Sequence, residues 1–256
     1  MKALIFAAGL GTRLKPLTDT MPKALVPVAG KPMLEYVILH LREQGFTDVV
    51  INIHYLGEQI INFLQAHDNF GINISISDER GEILETGGGI LKAADLLDDG
   101  EPFLVHNSDI LTNINLLAFY QQHLDNQADA TLLVGHRDTS RYLIFDHTNT
   151  LCGWINKKTG EQKPEGFCYE STQHEAWAFG GIHVISPTLL RYMREDGWSG
   201  KFSIIPFYLS VCHKARIQAS PIQSDRYWFD IGKMETLQEA NRYLNSLNIG
   251  YCNTCI

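Results

Sequence analysis

The chain has 256 residues, of which 45% are hydrophobic and 20% charged, and its formal net charge is −8. These values suit a globular protein long enough to bury a full core, read as one domain over 1–256, and the acidic balance argues against a general nucleic-acid binder. No apolar run reaches the ~18 residues of a transmembrane helix, the run behind Met1-Lys2 is too short for a signal peptide, and five scattered cysteines (Cys152, Cys168, Cys212, Cys252 and Cys255) read as reduced thiols, so a cytoplasmic protein with no membrane partner is expected.

Residues 3–6 form a short apolar run that reads as a buried strand, and it empties into Ala7-Ala8-Gly9-Leu10-Gly11-Thr12-Arg13-Leu14, with Pro22-Lys23 following. Pro32 suits a first helical turn. Leu34, Val37, Ile38 and Leu41 then repeat at helical spacing, and Gly45 supplies the stop. Residues 48–54 read as a second strand, 56–67 as a helix with Ile60, Phe63 and Leu64 on one side, and 72–77 as a third strand. Gly87-Gly88-Gly89 is expected to open a helix, and a fourth strand over 103–106 ends in Asn107-Ser108-Asp109. Strands alternating with helices imply an α/β architecture, a mostly parallel sheet with helices on both faces. In such sheets ligands sit beyond the carboxyl ends of strands, where the glycine turn, the triple glycine and Asp109 all fall.

The second half is more mixed. Residues 130–134 read as a strand, and 142–145 with 151–155 as a hairpin across a turn at 146–149. A long apolar strand over 177–185 is interrupted by Gly180-Gly181; helices are expected over 187–193, 204–211 and 234–247, and a late strand over 227–231. The polar stretch 156–175 is a loop or flap. Cys252 and Cys255 have metal-ligand spacing but no second pair, which suggests a frayed tail. His106, His136 and His183 stand in or near strands at no metal-ligand spacing and read as core or edge residues.

The chemistry concentrates in residues 7–33. Gly9 and Gly11 let backbone N–H groups approach a ligand, and Arg13 and Lys23 add charge-assisted donors for phosphate oxygens. Residues 1–35 carry five lysines and arginines against two acids, whereas the remainder is strongly acidic. A dinucleotide fingerprint would need a glycine where Leu14 stands, and a P-loop would need Gly-Lys-Ser/Thr entering a helix.

Gly9-Leu10-Gly11-Thr12-Arg13-Leu14 and Pro22-Lys23 together resemble the signature of the sugar-1-phosphate nucleotidyltransferases, the nucleoside-diphosphate-sugar pyrophosphorylases. Further echoes are Leu84-Glu85-Thr86-Gly87-Gly88-Gly89-Ile90, Ser108-Asp109 and Asp230-Ile231-Gly232. The resemblance implies a three-layer Rossmann-like, GT-A-like fold with a nucleotide part at about 1–125, a sugar-phosphate part at about 126–232 and a final helix at about 233–248. It implies Mg²⁺ on Asp109 and Asp230, with Arg13 and Lys23 on the reacting phosphates. Ala7, Ala8, Gly9, Gly11, Thr12, Glu85, Thr86, Gly87 and Asn107 would hold the nucleotide, and Gly180 and Trp177 would line the sugar pocket. The partners would be a nucleoside triphosphate and a sugar 1-phosphate, in a monomer or small homo-oligomer. The wording around Thr86 is most like the short uridylyltransferases acting on N-acetylmuramate 1-phosphate, then the mannose-1-phosphate guanylyltransferases. The chain departs from the family at Ser108, at Leu143 after Tyr142, and at Gln162-Lys163-Pro164, a partial echo of a Glu-Lys-Pro sugar motif. Read from the residues alone, an aspartate at a strand end is also a common turn former or cap. A catalytically silent sensor on the same fold stands as the alternative, with a dinucleotide oxidoreductase disfavoured by Leu14.

Overall fold

The computed structural model describes residues 1–252, and the frayed tail expected at 252–255 runs beyond them. β1 (Lys2–Phe6) buries Ala3, Leu4 and Ile5 completely. It leads into three single-turn 3-10 segments, Thr12–Leu14, Leu17–Asp19 and Lys23–Leu25. A small ribbon of β2 (Pro27–Val28) and β3 (Lys31–Pro32) precedes α1 (Met33–Glu43), whose Leu34, Val37, Ile38 and Leu41 are buried as their spacing predicts. Gly45 follows with φ 85°, the left-handed stop conformation. Next come β4 (Asp48–Ile53), α2 (Gly57–Ala66), β5 (Asn73–Asp78), α3 (Glu85–Lys92), α4 (Ala94–Leu97), β6 (Phe103–Asn107), β7 (Ile110–Thr112) and α5 (Leu116–Asp125). β6, β1, β4 and β5 lie side by side, all parallel.

The short strands β2, β3 and β7 are not among the expected elements, and two helices also differ from expectation. α3 begins at Glu85, so the three glycines lie inside the helix rather than opening it. α5 was not expected at all, although Leu116, Phe119, Tyr120 and His123 are buried at helical spacing and the Asn115 side chain caps the start by accepting from Ala118 N (2.9 Å).

The second half contributes β8 (Ala130–Gly135), β9 (Arg141–Phe145), β10 (Leu151–Asn156), β11 (Gln162–Lys163), β12 (Glu175–Ile185), α6 (Pro187–Glu195), α7 (Ile204–Val211), β13 (Ile217–Pro221), β14 (Trp228–Asp230) and α8 (Met234–Cys252). β12 joins the halves: it runs antiparallel to β6 at one end and to β9 at the other, and also pairs with β8. Its register against β8 shifts between Phe179 and His183. The glycines permit this, because a Cβ on Gly180 would lie 2.9 Å from Leu133 O and Gly181 has φ 75°. β9, β10 and β11 extend the sheet as the antiparallel hairpin that the turn at 146–149 implied. β13, parallel to β8, was not expected; its polar Gln218 and Ser220 are buried with Ile217 and Ala219, which hides any alternation.

One core fills the sheet face holding Leu4, Phe103, Leu190, Phe207 and Tyr208, and another the face holding Ile5, Leu34, Leu41, Phe46 and Phe119. A third, around Leu14, Met33, Ile231 and Leu237, seats α8 under the glycine turn. His106 and His183 take buried positions, and burial pulls both imidazoles down to about 3. His123, held between Thr131 Oγ1 (3.0 Å) and Ser186 Oγ (2.9 Å), is lowered to about 4 by burial. Among the described residues no helix is long and apolar enough to cross a membrane.

Candidate active site

Gly11 sits at φ 65°, where a Cβ would come within 2.7 Å of Thr18 Cγ2 and 3.0 Å of Lys23 Cβ. Thr18 Oγ1 donates to Gly11 O (2.8 Å) and Leu14 N does the same (2.8 Å), closing the turn. Gly9 is different: its nearest neighbour on that side is the Lys23 stem at 3.9 Å, so the space above it is open to a ligand. The amides of Ala7 and Ala8 both donate to Asn52 Oδ1 (2.7 and 3.2 Å). Asn52 Nδ2 donates to Glu79 Oε1 (2.8 Å), and Glu79 Oε2 accepts from Leu84 N (3.2 Å). Asn52 and Glu79 are each 1% exposed. A buried carboxylate is tolerable only with such partners, and this chain of bonds ties the end of β1 to β4, β5 and the entrance of α3. Sequence reasoning missed both residues; the available signal was one asparagine inside the apolar run Val49-Val50-Ile51-Asn52-Ile53.

The α3 entrance also clasps the second half. Thr86 Oγ1 accepts from Ile204 N (3.0 Å) and so caps α7, while Gly87 N and Gly88 N donate to Phe202 O (2.9 and 3.1 Å). Side chains at Gly87 and Gly88 would run into Phe202 and Gly200. The glycines thus permit close packing here, and the Gly87 amide is spent on the protein. Glu85 holds φ 59°, a left-handed conformation that costs a side-chain-bearing residue about 1 kcal/mol or more.

The two expected aspartates are far apart in sequence and adjacent in space. β7 and β14 pair antiparallel with Asp230 opposite Ile110, and Ile231 N donates to Asp109 O (2.8 Å). Lys23 forms an ion pair with Asp109 Oδ2. Arg137 donates to Asp230 Oδ2 (3.1 Å) and to Phe179 O (3.1 Å), and its guanidinium lies 5.0 Å from the centre of the Trp228 ring. Trp228 Nε1 donates in turn to Gly180 O (2.9 Å). Gly232 leaves room for Arg13: a Cβ there would lie 2.8 Å from Arg13 Nη2 and 2.9 Å from Asp230 Oδ1. Two carboxylates, Asp109 in the turn just before β7 and Asp230 on β14, therefore stand among Arg13, Lys23 and Arg137. This donor set fits Mg²⁺, which takes one or two protein carboxylates and fills its other positions with water and phosphate. Among the described residues no group of three or more metal-ligating side chains occurs.

Two cavities open on either side of Asp109. The smaller, about 310 Å³, is lined by Ala8, Gly9, Lys23, Glu85, Thr86, Asn107 and Asp109 among the expected residues, together with Asn52 and Glu79. Ala7, Gly11, Thr12 and Gly87 are not on its wall. The larger, about 580 Å³, is lined by Asn107, Asp109, Gly180 and Asp230, and also by Arg137, Arg141, Trp154, Lys163 and Phe179. Trp177 is not on that wall; its ring packs on His136 (4.1 Å between centres) and its indole N–H is buried without a partner. The aromatic residues on that wall are Trp154, Phe179 and Trp228, with Trp154 opposite Leu143 on β9 and opposite Lys163 on β11. Lys163 Nζ lies 5.4 Å from the Trp154 ring centre and pairs with Glu161 (3.0 Å). The stretch expected as a loop or flap thus brings Asn156, Glu161 and Lys163 to the cavity. The cavities share Asn107, Asp109 and Ser203, so ligands in the two would meet at Asp109. Such an arrangement can hold two anionic substrates with their reacting ends at one pair of carboxylates.

A family model described as nucleotidyl transferase matches residues 2–246. The N-acetylmuramate alpha-1-phosphate uridylyltransferase of Neisseria meningitidis serogroup B is 50% identical over 121 residues, covering 47% of this chain and 52% of that protein. The mannose-1-phosphate guanylyltransferase catalytic subunit beta of Dictyostelium discoideum is 33% identical over 255 residues, covering 96% of this chain and 66% of that protein. The matches span from about half to just under two thirds of these curated relatives. Among solved structures, HddC from Yersinia pseudotuberculosis complexed with GMP-PN superposes with a TM-score of 0.72 at 25% identity, over 95% of this chain and 99% of that one.

Proposed function

We propose that this chain, which belongs to the nucleotidyl transferase family, transfers a nucleotidyl group from a nucleoside triphosphate to a sugar 1-phosphate, giving a nucleoside-diphosphate sugar and pyrophosphate. The observation that carries this reading is the meeting of two cavities at Asp109, with Asp230 on the adjacent strand and three cations around the pair. The smaller cavity takes the nucleotide and the larger the sugar 1-phosphate. UTP and N-acetylmuramate 1-phosphate are the substrates we favour, supported by the Neisseria relative's name and its 50% identity. GTP with mannose or heptose 1-phosphate is the second reading, supported by the Dictyostelium relative and by the guanine nucleotide in the Yersinia complex. Free cysteines at 152, 168 and 212 support a cytoplasmic setting.

In this mechanism a phosphate oxygen of the sugar 1-phosphate attacks the α-phosphorus in line, one P–O bond forms, and the bond to the pyrophosphate oxygen breaks. No covalent enzyme intermediate and no proton transfer are required. Asp109 and Asp230 would hold Mg²⁺, which when bound reduces the negative charge on the reacting phosphates. Lys23 and Arg137, each resting on one of these carboxylates, then turn their charge to phosphate oxygens. Arg13 steadies the departing β- and γ-phosphates. Positioning and fixed charge supply the rate. A pyrophosphate-release assay with Mg²⁺, crossing UTP, GTP, CTP and dTTP with N-acetylmuramate, mannose, glucose and heptose 1-phosphates, tests it. Release that requires one triphosphate and one sugar together supports the reaction and names both substrates. Nucleotide binding without release from any pair would favour a catalytically silent sensor.

A further inference from the structure

We infer that the Ser203 hydroxyl donates a hydrogen bond to the α-phosphate of the triphosphate during transfer, and that the glycines at 87 and 88 serve to seat it there; this rests on the transferase reading above. Three residues lie on the walls of both cavities, Asn107, Asp109 and Ser203. Asn107 ends β6 and Asp109 follows it closely, in the nucleotide half. Ser203 is the one that comes from the other half, just before α7. In an in-line transfer the α-phosphate carries the leaving group on one side and meets the attacking oxygen on the other, so it occupies the junction of the two cavities. A side chain on both walls stands beside it.

The entrance of α3 holds the backbone on either side of Ser203. Phe202 N donates to Leu84 O (3.1 Å), and Phe202 O accepts from Gly87 N (2.9 Å) and Gly88 N (3.1 Å). Ile204 N donates to Thr86 Oγ1 (3.0 Å). These bonds fix the chain one residue before and one residue after the serine. Such an approach needs glycine, because a Cβ at position 87 would collide with the Phe202 ring and one at 88 with Gly200 O. The glycines that the sequence places beside the nucleotide thus act through a residue more than a hundred positions away.

The hydroxyl itself is unspent. Ser203 takes the N-cap position of α7, where a serine side chain ordinarily accepts from the second or third helical amide. The third residue here is Pro206, which has no N–H, and no capping bond forms. Among the described residues the hydroxyl has no other hydrogen-bond partner. A free donor on a fixed backbone, aimed where phosphate charge is redistributed, is how preorganised electrostatics lowers a barrier.

The experiment measures kcat for the native chain and Ser203→Ala with Mg²⁺ and the sugar 1-phosphate that supports release. Each is assayed on the triphosphate and on both diastereomers of its α-thio analogue, in which sulfur replaces one or the other non-bridging oxygen. Ser203→Ala is expected to lower kcat on the triphosphate by ~10–100-fold, the range for a hydrogen bond to a charged group. Its melting temperature should stay within about 2 °C of native, since no bond inside the protein is lost. Sulfur accepts a hydrogen bond weakly, so with one diastereomer the loss should shrink to less than about threefold. That contrast is a ratio within one preparation and does not depend on how much of the variant folds. Equal losses on the triphosphate and on both thio analogues would place the hydroxyl away from the α-phosphate and overturn the inference. So would native kcat in Ser203→Ala; in both cases the transferase reading stands. Failure of the native chain to release pyrophosphate with any sugar 1-phosphate would overturn that reading, and this inference with it.

Discussion

The two halves of the sheet build their cavities by different means. In the parallel half, around β1, β4, β5 and β6, the smaller cavity sits against a glycine turn at a strand end, where a buried asparagine, itself bonded to a buried glutamate, holds the Ala7 and Ala8 amides. In the antiparallel half, around β9, β10 and β12, the wall is side chains, with Trp154, Leu143, Arg141 and Lys163 brought together by strand register. A wall of side chains can vary by substitution without disturbing the sheet, so under the proposed reaction acceptor choice is expected there.

Changes at Asp109 and at its partner Lys23 should hit both halves at once and most severely. Asp109→Ala and Lys23→Ala are each expected to lower kcat at least ~100-fold, the scale for losing one preorganised charge partner; near-normal turnover in either variant would remove that residue from the mechanism. Next come changes that should separate the halves. Asn52→Ala frees the Ala7 and Ala8 amides and should raise KM for the triphosphate about tenfold, with KM for the sugar 1-phosphate moving less than about twofold. Trp154→Ala should do the reverse, through lost stacking area. Steady-state kinetics with each substrate varied in turn decides this, and a variant that shifts both constants equally would mean the cavities are coupled.

Gly88→Ala tests the clasp between the halves. The added methyl group faces Gly200 O, a backbone atom with little room to give. Overpacking of about 1–3 kcal/mol is expected, seen as a melting temperature lower by roughly 3–10 °C. The smallest effect is a pH dependence. Unfolded His183 takes a proton near 6.5, while the buried imidazole stays neutral down to about 3. The unfolded state therefore binds more protons in that window, and stability is lost as pH falls below about 6.5. His183→Gln should lose about 1 kcal/mol less than the native chain between roughly pH 6.5 and 5.5, measured by denaturant unfolding; equal losses would mean that folding does not change the proton affinity of His183.

Much of the fold could be read from local pattern. The helix from Met33 to Glu43 and the hairpin around 146–149 follow from helical spacing and turn residues, and both appear as expected. α5 is legible too, from Asn115 as cap and apolar residues at helical spacing. β13 was not legible, because a strand buried on both faces shows no alternation and its Gln218 and Ser220 disguise it. Among the candidate site residues, Gly11 reflects a purely local demand, a left-handed turn beside Thr18. The packing role of Gly87 depends instead on Phe202, which lies far along the chain.

By itself the sequence determined what depends on near neighbours: the alternation of strands and helices, the glycine turn with its two cations, and the family resemblance those carry. Only the tertiary structure decided which side chains face the cavities. Trp154 lines the larger one and Trp177 does not, Arg137 reaches Asp230, and Asp109 lies beside Asp230. The physical reason is that a strand offers two faces by simple alternation. Which face meets a cavity is set by register against strands distant in sequence, and here by the shift at Gly180-Gly181.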